Sequence, residues 1–175
     1  DATILGSSAQ VREADTIVMV GGDSSEVDAA RELFDTFARK VFHMGPSGTG
    51  ATTKLVANMV LGLHRAVLAE ALVFGEKVGI AGDVLLEVLR NGSTYSSVMD
   101  IKGDKMLDRS YEPQGRLAQH LKDVDLALDL GRDSGAPIML TALHAQLLRS
   151  AVAQGFGGDD NSAIIEVMRG LSGLE

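Results

Sequence analysis

The chain has 175 residues, enough for one large domain or for one domain with part of another. Its 45% hydrophobic and 23% charged content is that of a globular chain able to bury a core. A net charge of −8, with 16 Lys and Arg scattered and never in a run, argues against a nucleic-acid surface, which needs clustered cations for phosphates. The absence of Cys removes disulfides, thiolate nucleophiles and Cys-ligated zinc, and is compatible with a cytoplasmic protein. No run of 18 apolar residues occurs, so no membrane span is expected. Asp1-Ala2-Thr3 carries neither an initiator Met nor a signal-peptide pattern, and reads as a point inside a longer protein.

Residues 1 to about 45 read as β-α-β. The β-branched run from Thr16 to Val20 stops at Gly21-Gly22-Asp23 and predicts a strand. Ser24 or Ser25 then caps a helix through about Ala38, with Val27, Ala30, Leu33, Phe34 and Phe37 on one face. Lys40 to Met44 returns as a second strand. Two strands and one helix are too few to fold alone, so this piece belongs to a larger sheet. From Gly45 onward the pattern predicts helices only. A long one spans about 51–78 and is ended by Gly79, and Asp83 caps a shorter one through Leu89. Others follow near 96–107, 115–133, 138–154 and 160–169, with Asp159, Asp160 and Ser162 capping the last. The fold class is mainly α: a remnant of a Rossmann-type sheet over 1–45, then an all-helical domain over 46–175.

The Gly-rich segment Gly45 to Gly50 turns from strand to helix. Ala51 stands where a P-loop needs Lys, and Thr53 stands where a dinucleotide fingerprint needs its third Gly. A tight turn is a sufficient reason for these glycines. Lys54 falls in the first turn of the long helix, where the macrodipole disfavours a cation and so favours proton exchange near neutral pH. Asn58, at i+4, shares its face. Spacing alone favours a solvated lysine beside a chance asparagine over a proton-transfer pair. His43, His64, His120 and His144 show no spacing for a metal, and none is expected. Glu70 and Glu76 read as a wet face, and Met59, Met99, Met106, Met139 and Met168 as core filler.

Gly48-x-Gly50-x-x-x-Lys54-x-x-x-Asn58 resembles the catalytic motif of the β-hydroxyacid dehydrogenases. That family takes in 3-hydroxyisobutyrate dehydrogenase, tartronate semialdehyde reductase and glyoxylate/succinic semialdehyde reductase, within the 6-phosphogluconate dehydrogenase-like superfamily. Asp1 to Ser7 resembles its substrate-binding turn, Met19 to Asp23 its late Rossmann strand, Leu121 to Ala127 its Lys-Asp motif, and Gly157 to Ile164 its last helix entry. The order is that of the family along nearly the whole chain.

The resemblance implies that Lys54 exchanges the proton of the substrate oxygen while NAD or NADP carries the hydride, the cofactor being held mainly by a region absent here. It implies that Asn58 binds substrate, that the amides of Gly6 and Ser7 take its carboxylate, and that Lys122 and Asp123 lie near the nicotinamide and substrate. A homodimer or higher oligomer with the long helix between partners is implied too. Leu5, Ser7 and Gly115 depart from the family at substrate positions, and Ala57 lacks the His of the 6-phosphogluconate enzymes. The substrate class is a small 2- or 3-hydroxy acid or its oxo form. The rival expectation is a non-catalytic helical dimerisation module derived from the same family.

Overall fold

Strand β2 (Thr16–Gly21) is buried along almost its whole length, because its apolar β-branched side chains alternate between two covered faces. It is the middle of three strands in the computed structural model, which describes residues 1–174. On one side β1 (Ala2–Leu5) pairs with it antiparallel, Ala2 opposite Val20 and Leu5 opposite Ile17. On the other, β3 (Ala38–Gly45) pairs parallel, with register shifts at both ends. Strand β1 was not expected; four residues closed by Gly6 at φ +149° carry too little alternation to separate a strand from a turn. Beyond Gly6 a short helix α1 (Ser8–Arg12) leads to β2.

A parallel pair needs a crossover, and the crossover departs from the single helix expected. It is two short helices, α2 (Ser24–Ala29) and α3 (Arg31–Asp35), broken at Ala30. The break turns Leu33 outward to 64% exposure and lets Phe34 and Phe37 meet edge to face at 6.3 Å. Neither Ser24 nor Ser25 caps α2; Asp23 holds the N-cap position without a side-chain bond. Val18, Val20, Val27 and Ala38 form this unit's core.

Helix α4 (Thr49–Lys77) has 29 residues, about 43 Å at 1.5 Å each. Gly79, at φ +84°, ends it. By length and composition α4 could cross a membrane, which the sequence reading did not anticipate. Its Leu68, Ala69, Leu72 and Val73 instead belong to a packed protein core.

The chain divides into two compact units, Asp1–Asn58 and residues from Met59 onward. The division falls inside α4, further along than the change from sheet to helix near Gly45, because the first turns of α4 pack on the strands of the first unit. The second unit continues α4 with α5 (Gly82–Asn91), α6 (Ser97–Leu107), α7 (Leu117–Ser134), α8 (Met139–Ala153) and α9 (Ile164–Leu171). Two single 3₁₀ turns at 156–158 and 161–163 precede α9, so its start lies later than expected. Asp83 sits in the first turn of α5, but Ala81 is the N-cap. Gly135, at φ +73°, closes α7. Leu86, Met106, Leu117, Leu148, Ile164 and Ile165 are wholly buried between these helices. Met99 and Met106 are core as expected; Met139 is 77% exposed, because it opens α8 at a surface corner.

Candidate active site

The first unit carries four of the candidate residues, Gly6, Ser7, Lys54 and Asn58. Asp1 and the Gly-rich turn set the frame. The Asp1 carboxylate accepts hydrogen bonds from the amides of Gly48 and Ala51, satisfying two donors at the start of α4 that the helix itself leaves open. Thr3 Oγ1 donates to the Gly50 carbonyl at 2.9 Å. A Cβ on Gly50 would stand 2.7 Å from the Met19 carbonyl and 3.0 Å from the Gly21 amide, so only glycine lets the helix approach the strand this closely. The turn is a packing device. With the Gly48 and Ala51 amides turned on Asp1, two donors that a phosphate would need are already taken.

Lys54 lies in the second turn of α4, because the helix begins at Thr49 rather than at Ala51. The dipole argument therefore weakens, since that field fades beyond the first turn. Geometry takes its place. Helical side chains point back toward the N-terminus, and Lys54 Nζ reaches back to donate to the carbonyl of Ile4 in β1. Ile4 stands two residues before Gly6, so the half-buried amine lies at the strand end that leads into the Gly6-Ser7 turn. Asn58, one turn further along the same face, is also half-buried.

The Gly6-Ser7 turn is organised by a residue that the sequence reading passed over. A Cβ on Gly6 would meet Thr16 Cγ2 at 2.8 Å, so glycine is required there. Ser7 is the N-cap of α1: its Oγ accepts from Gln10 N, and its own amide donates to Gln10 Oε1 at 2.9 Å. This is a capping box. The signal for it, Ser7-x-x-Gln10, is local and was readable in the sequence.

The second unit carries the other candidates on α7. Lys122 is exposed and Asp123 half-buried, beside the fully buried Val124. Beneath this stretch lies a charged interior that no spacing announced. Lys102 Nζ is 2.8 and 2.9 Å from the two oxygens of Asp160. Burial alone would raise the Asp160 pKa, but Lys102 and the amides of Gln114 and Ser162 bring it down to about 2. Asp160 thus caps the 3₁₀ turn 161–163 rather than the last helix, whose N-cap is Ala163, while also holding a lysine. The Gly115 amide points at Asp160 as well, and a Cβ there would meet Asn161 Nδ2 at 3.2 Å; the absent side chain reflects this packing. Burial lowers the pKa of Arg65 to about 10 against the opposing charge of Asp160. Among the described residues, no group of three or more His, Asp or Glu could hold a metal.

Residues 48–168 match the family "NAD-binding of NADP-dependent 3-hydroxyisobutyrate dehydrogenase". A curated relative, 2-(hydroxymethyl)glutarate dehydrogenase of Eubacterium barkeri, is 31% identical over 99% of this chain and 58% of its own length. Among solved structures, 3-hydroxyisobutyrate dehydrogenase from Salmonella typhimurium superposes with a TM-score of 0.89 at 25% identity, over 95% of this chain and 59% of the other. The Mycobacterium tuberculosis enzyme of that name, solved with L-serine, gives 0.87 at 28%, over 97% and 60%. The chain thus spans less than two thirds of the length of these proteins. Because the family match runs over well over half of its length, the chain belongs to the NAD(P)-dependent 3-hydroxyisobutyrate dehydrogenase family.

Proposed function

We propose that the chain is part of a cytoplasmic dehydrogenase that interconverts a small 2- or 3-hydroxy acid and its oxo acid or semialdehyde, with Lys54 as general acid and base. The observation that carries this reading is the hydrogen bond from Lys54 Nζ to the Ile4 carbonyl, which holds the amine beside the turn expected to receive the substrate. In reduction, Lys54 gives a proton to the carbonyl oxygen as the C=O double bond becomes C–O and a hydride arrives at carbon. In oxidation it takes the hydroxyl proton. A bound nicotinamide supplies or accepts that hydride. Asn58, one turn away, holds the substrate oxygen or carboxylate, and Gly6 and Ser7 offer it backbone amides, while Asp123 on α7 is a further substrate-binding candidate. An amine fixed by a backbone carbonyl needs little rearrangement at the moment of transfer.

Lys122 fits a place at the cofactor: it is exposed and makes no hydrogen bond or ion pair among the described residues, so its ammonium is open to an anionic or amide group. The turn before α4 is a poor place for the phosphates, since its Gly48 and Ala51 amides are taken by Asp1. Val67, Phe74, Leu143 and Leu171 leave an apolar face on the second unit, with a groove of about 390 Å³ between α4, α8 and α9. Such a face suits a second copy of the chain. Retention of Lys54 with its carbonyl partner favours an enzyme over a module that has lost its chemistry. The test is Lys54→Ala in the full-length protein. We expect turnover to fall by about 10²- to 10⁴-fold with cofactor affinity unchanged. Activity within about tenfold of wild type would refute the role.

A further inference from the structure

We propose that Gln10 is a specificity-determining residue that competes with a substrate carboxylate for the amide of Ser7; this rests on the reading above. Its Oε1 accepts from Ser7 N at 2.9 Å, the position one oxygen of a carboxylate would take to use that donor. The same Oε1 lies 3.5 Å from where a Cβ of Gly6 would be, so the amide group spreads over the turn rather than away from it. Gly6 and Ser7 are the two residues expected to offer amides to the substrate, and Lys54 is tied to Ile4 just before them. The turn therefore arrives with one donor already satisfied from within.

Two outcomes follow from elementary competition. A carboxylate must first displace Gln10, so its binding is weakened by the worth of one exposed hydrogen bond, about five- to tenfold. An uncharged ester of the same acid makes a weaker claim on that amide and loses little. Gln10 thus shifts selectivity away from carboxylates and toward neutral carbonyl or hydroxyl compounds. The side chain is exposed, so displacement needs no rearrangement of the core.

The experiment compares full-length wild type, Gln10→Ala and Gln10→Glu with 3-hydroxypropanoate and its methyl ester. Gln10→Ala frees the amide and should lower KM for the acid about five- to tenfold, with kcat and the ester little changed. Gln10→Glu keeps the capping box, since Glu also serves at that position, but sets a negative charge against the acid, so KM for the acid should rise. Opposite responses of the two variants, confined to the acid, support the proposal. It is overturned by equal effects on acid and ester, by the same direction of change in both variants, by no change, or by no turnover of either probe in all three proteins. If Lys54→Ala keeps its activity, the catalytic reading fails. If Lys54→Ala is inactive while the acid-to-ester ratio ignores Gln10, only this proposal does.

Discussion

The Nε2 atoms of His120 and His144 face each other at 3.2 Å inside the helical unit. Two imidazoles can share that contact only when one nitrogen carries a proton and the other does not. His144 Nδ1 is buried without a partner, and an unpaired lone pair is tolerated better than an unpaired N–H. The proton of His144 therefore belongs on Nε2, donated to His120. Gly62 makes room for the pair: a Cβ there would stand 2.4 Å from His120 Nε2 and 2.8 Å from His144 Nε2.

This pair makes stability depend on pH in a defined direction. Burial first, then the Arg65 charge, lowers the His144 pKa to about 4; burial, Arg65 and His144 lower that of His120 to about 2. The ordinary value is 6.5, so the unfolded chain binds more protons below that pH. Stability should be full above about pH 6.5 and fall toward pH 4, by up to about 1.4 kcal/mol per pH for each histidine. Asp160, lowered to about 2 from 3.8, adds a loss in the same sense as pH falls, but only below that window. Urea midpoints at pH 7, 6 and 5 should decline in wild type and flatten in His120→Gln/His144→Gln. An undiminished slope in the double variant would sink the assignment.

The Lys102–Asp160 pair predicts an asymmetric response. Lys102→Met leaves a carboxylate with no solvent exposure and only backbone and hydroxyl donors around it. Breaking a buried pair from one side costs about 3–5 kcal/mol, whereas replacing both partners with well-packed apolar groups costs far less. Denaturant unfolding of Lys102→Met, Asp160→Leu and the double variant forms a cycle that measures this. A double variant as unstable as the sum of the singles would show that the charges do not act as a pair.

Gly50 links the fold to the proposed chemistry. Gly50→Ala sets a Cβ 2.7 Å from the Met19 carbonyl, and that backbone cannot yield as a flexible side chain would. The start of α4 must move off the strand, carrying Lys54 away from Ile4. The expected result is a stability loss of about 1–3 kcal/mol together with a fall in kcat of about 10²-fold, as a 1 Å misplacement produces. Unchanged kcat with the glycine replaced would separate the turn from catalysis.

How much of this was legible depended on the range of each signal. The long helix, Lys54 and Asn58 were visible because an i, i+4 face is local and the Gly-rich turn before it has one sterically clear purpose. The capping box of Ser7 and Gln10 was equally local. Lys102 and Asp160 are 58 residues apart, and His120 and His144 are 24 apart, so only the packing of α6, α7 and α8 discloses them. The break at Ala30 escaped because Val27, Ala30, Leu33, Phe34 and Phe37 keep a continuous helical pattern across it, and nothing local marks Ala30 as a stop. Met139 was assigned to the core by residue type, which says nothing about a helix corner.

The apolar face of the second unit offers a prediction that stability measurements cannot mimic. Phe74 is 67% exposed and Leu143 62%, and both line the groove between α4, α8 and α9. Exposed side chains contribute little to the fold that bears them, so Phe74→Glu and Leu143→Glu should alter unfolding by no more than about 0.5 kcal/mol. In an interface of two copies each would bury a charge against apolar surface, at a cost of several kcal/mol per copy. Sedimentation should therefore show wild type as a dimer or larger and the Phe74→Glu/Leu143→Glu protein as a folded monomer. A wild-type monomer at high concentration would refute the shared face, and a double variant that still dimerises would place the contact elsewhere.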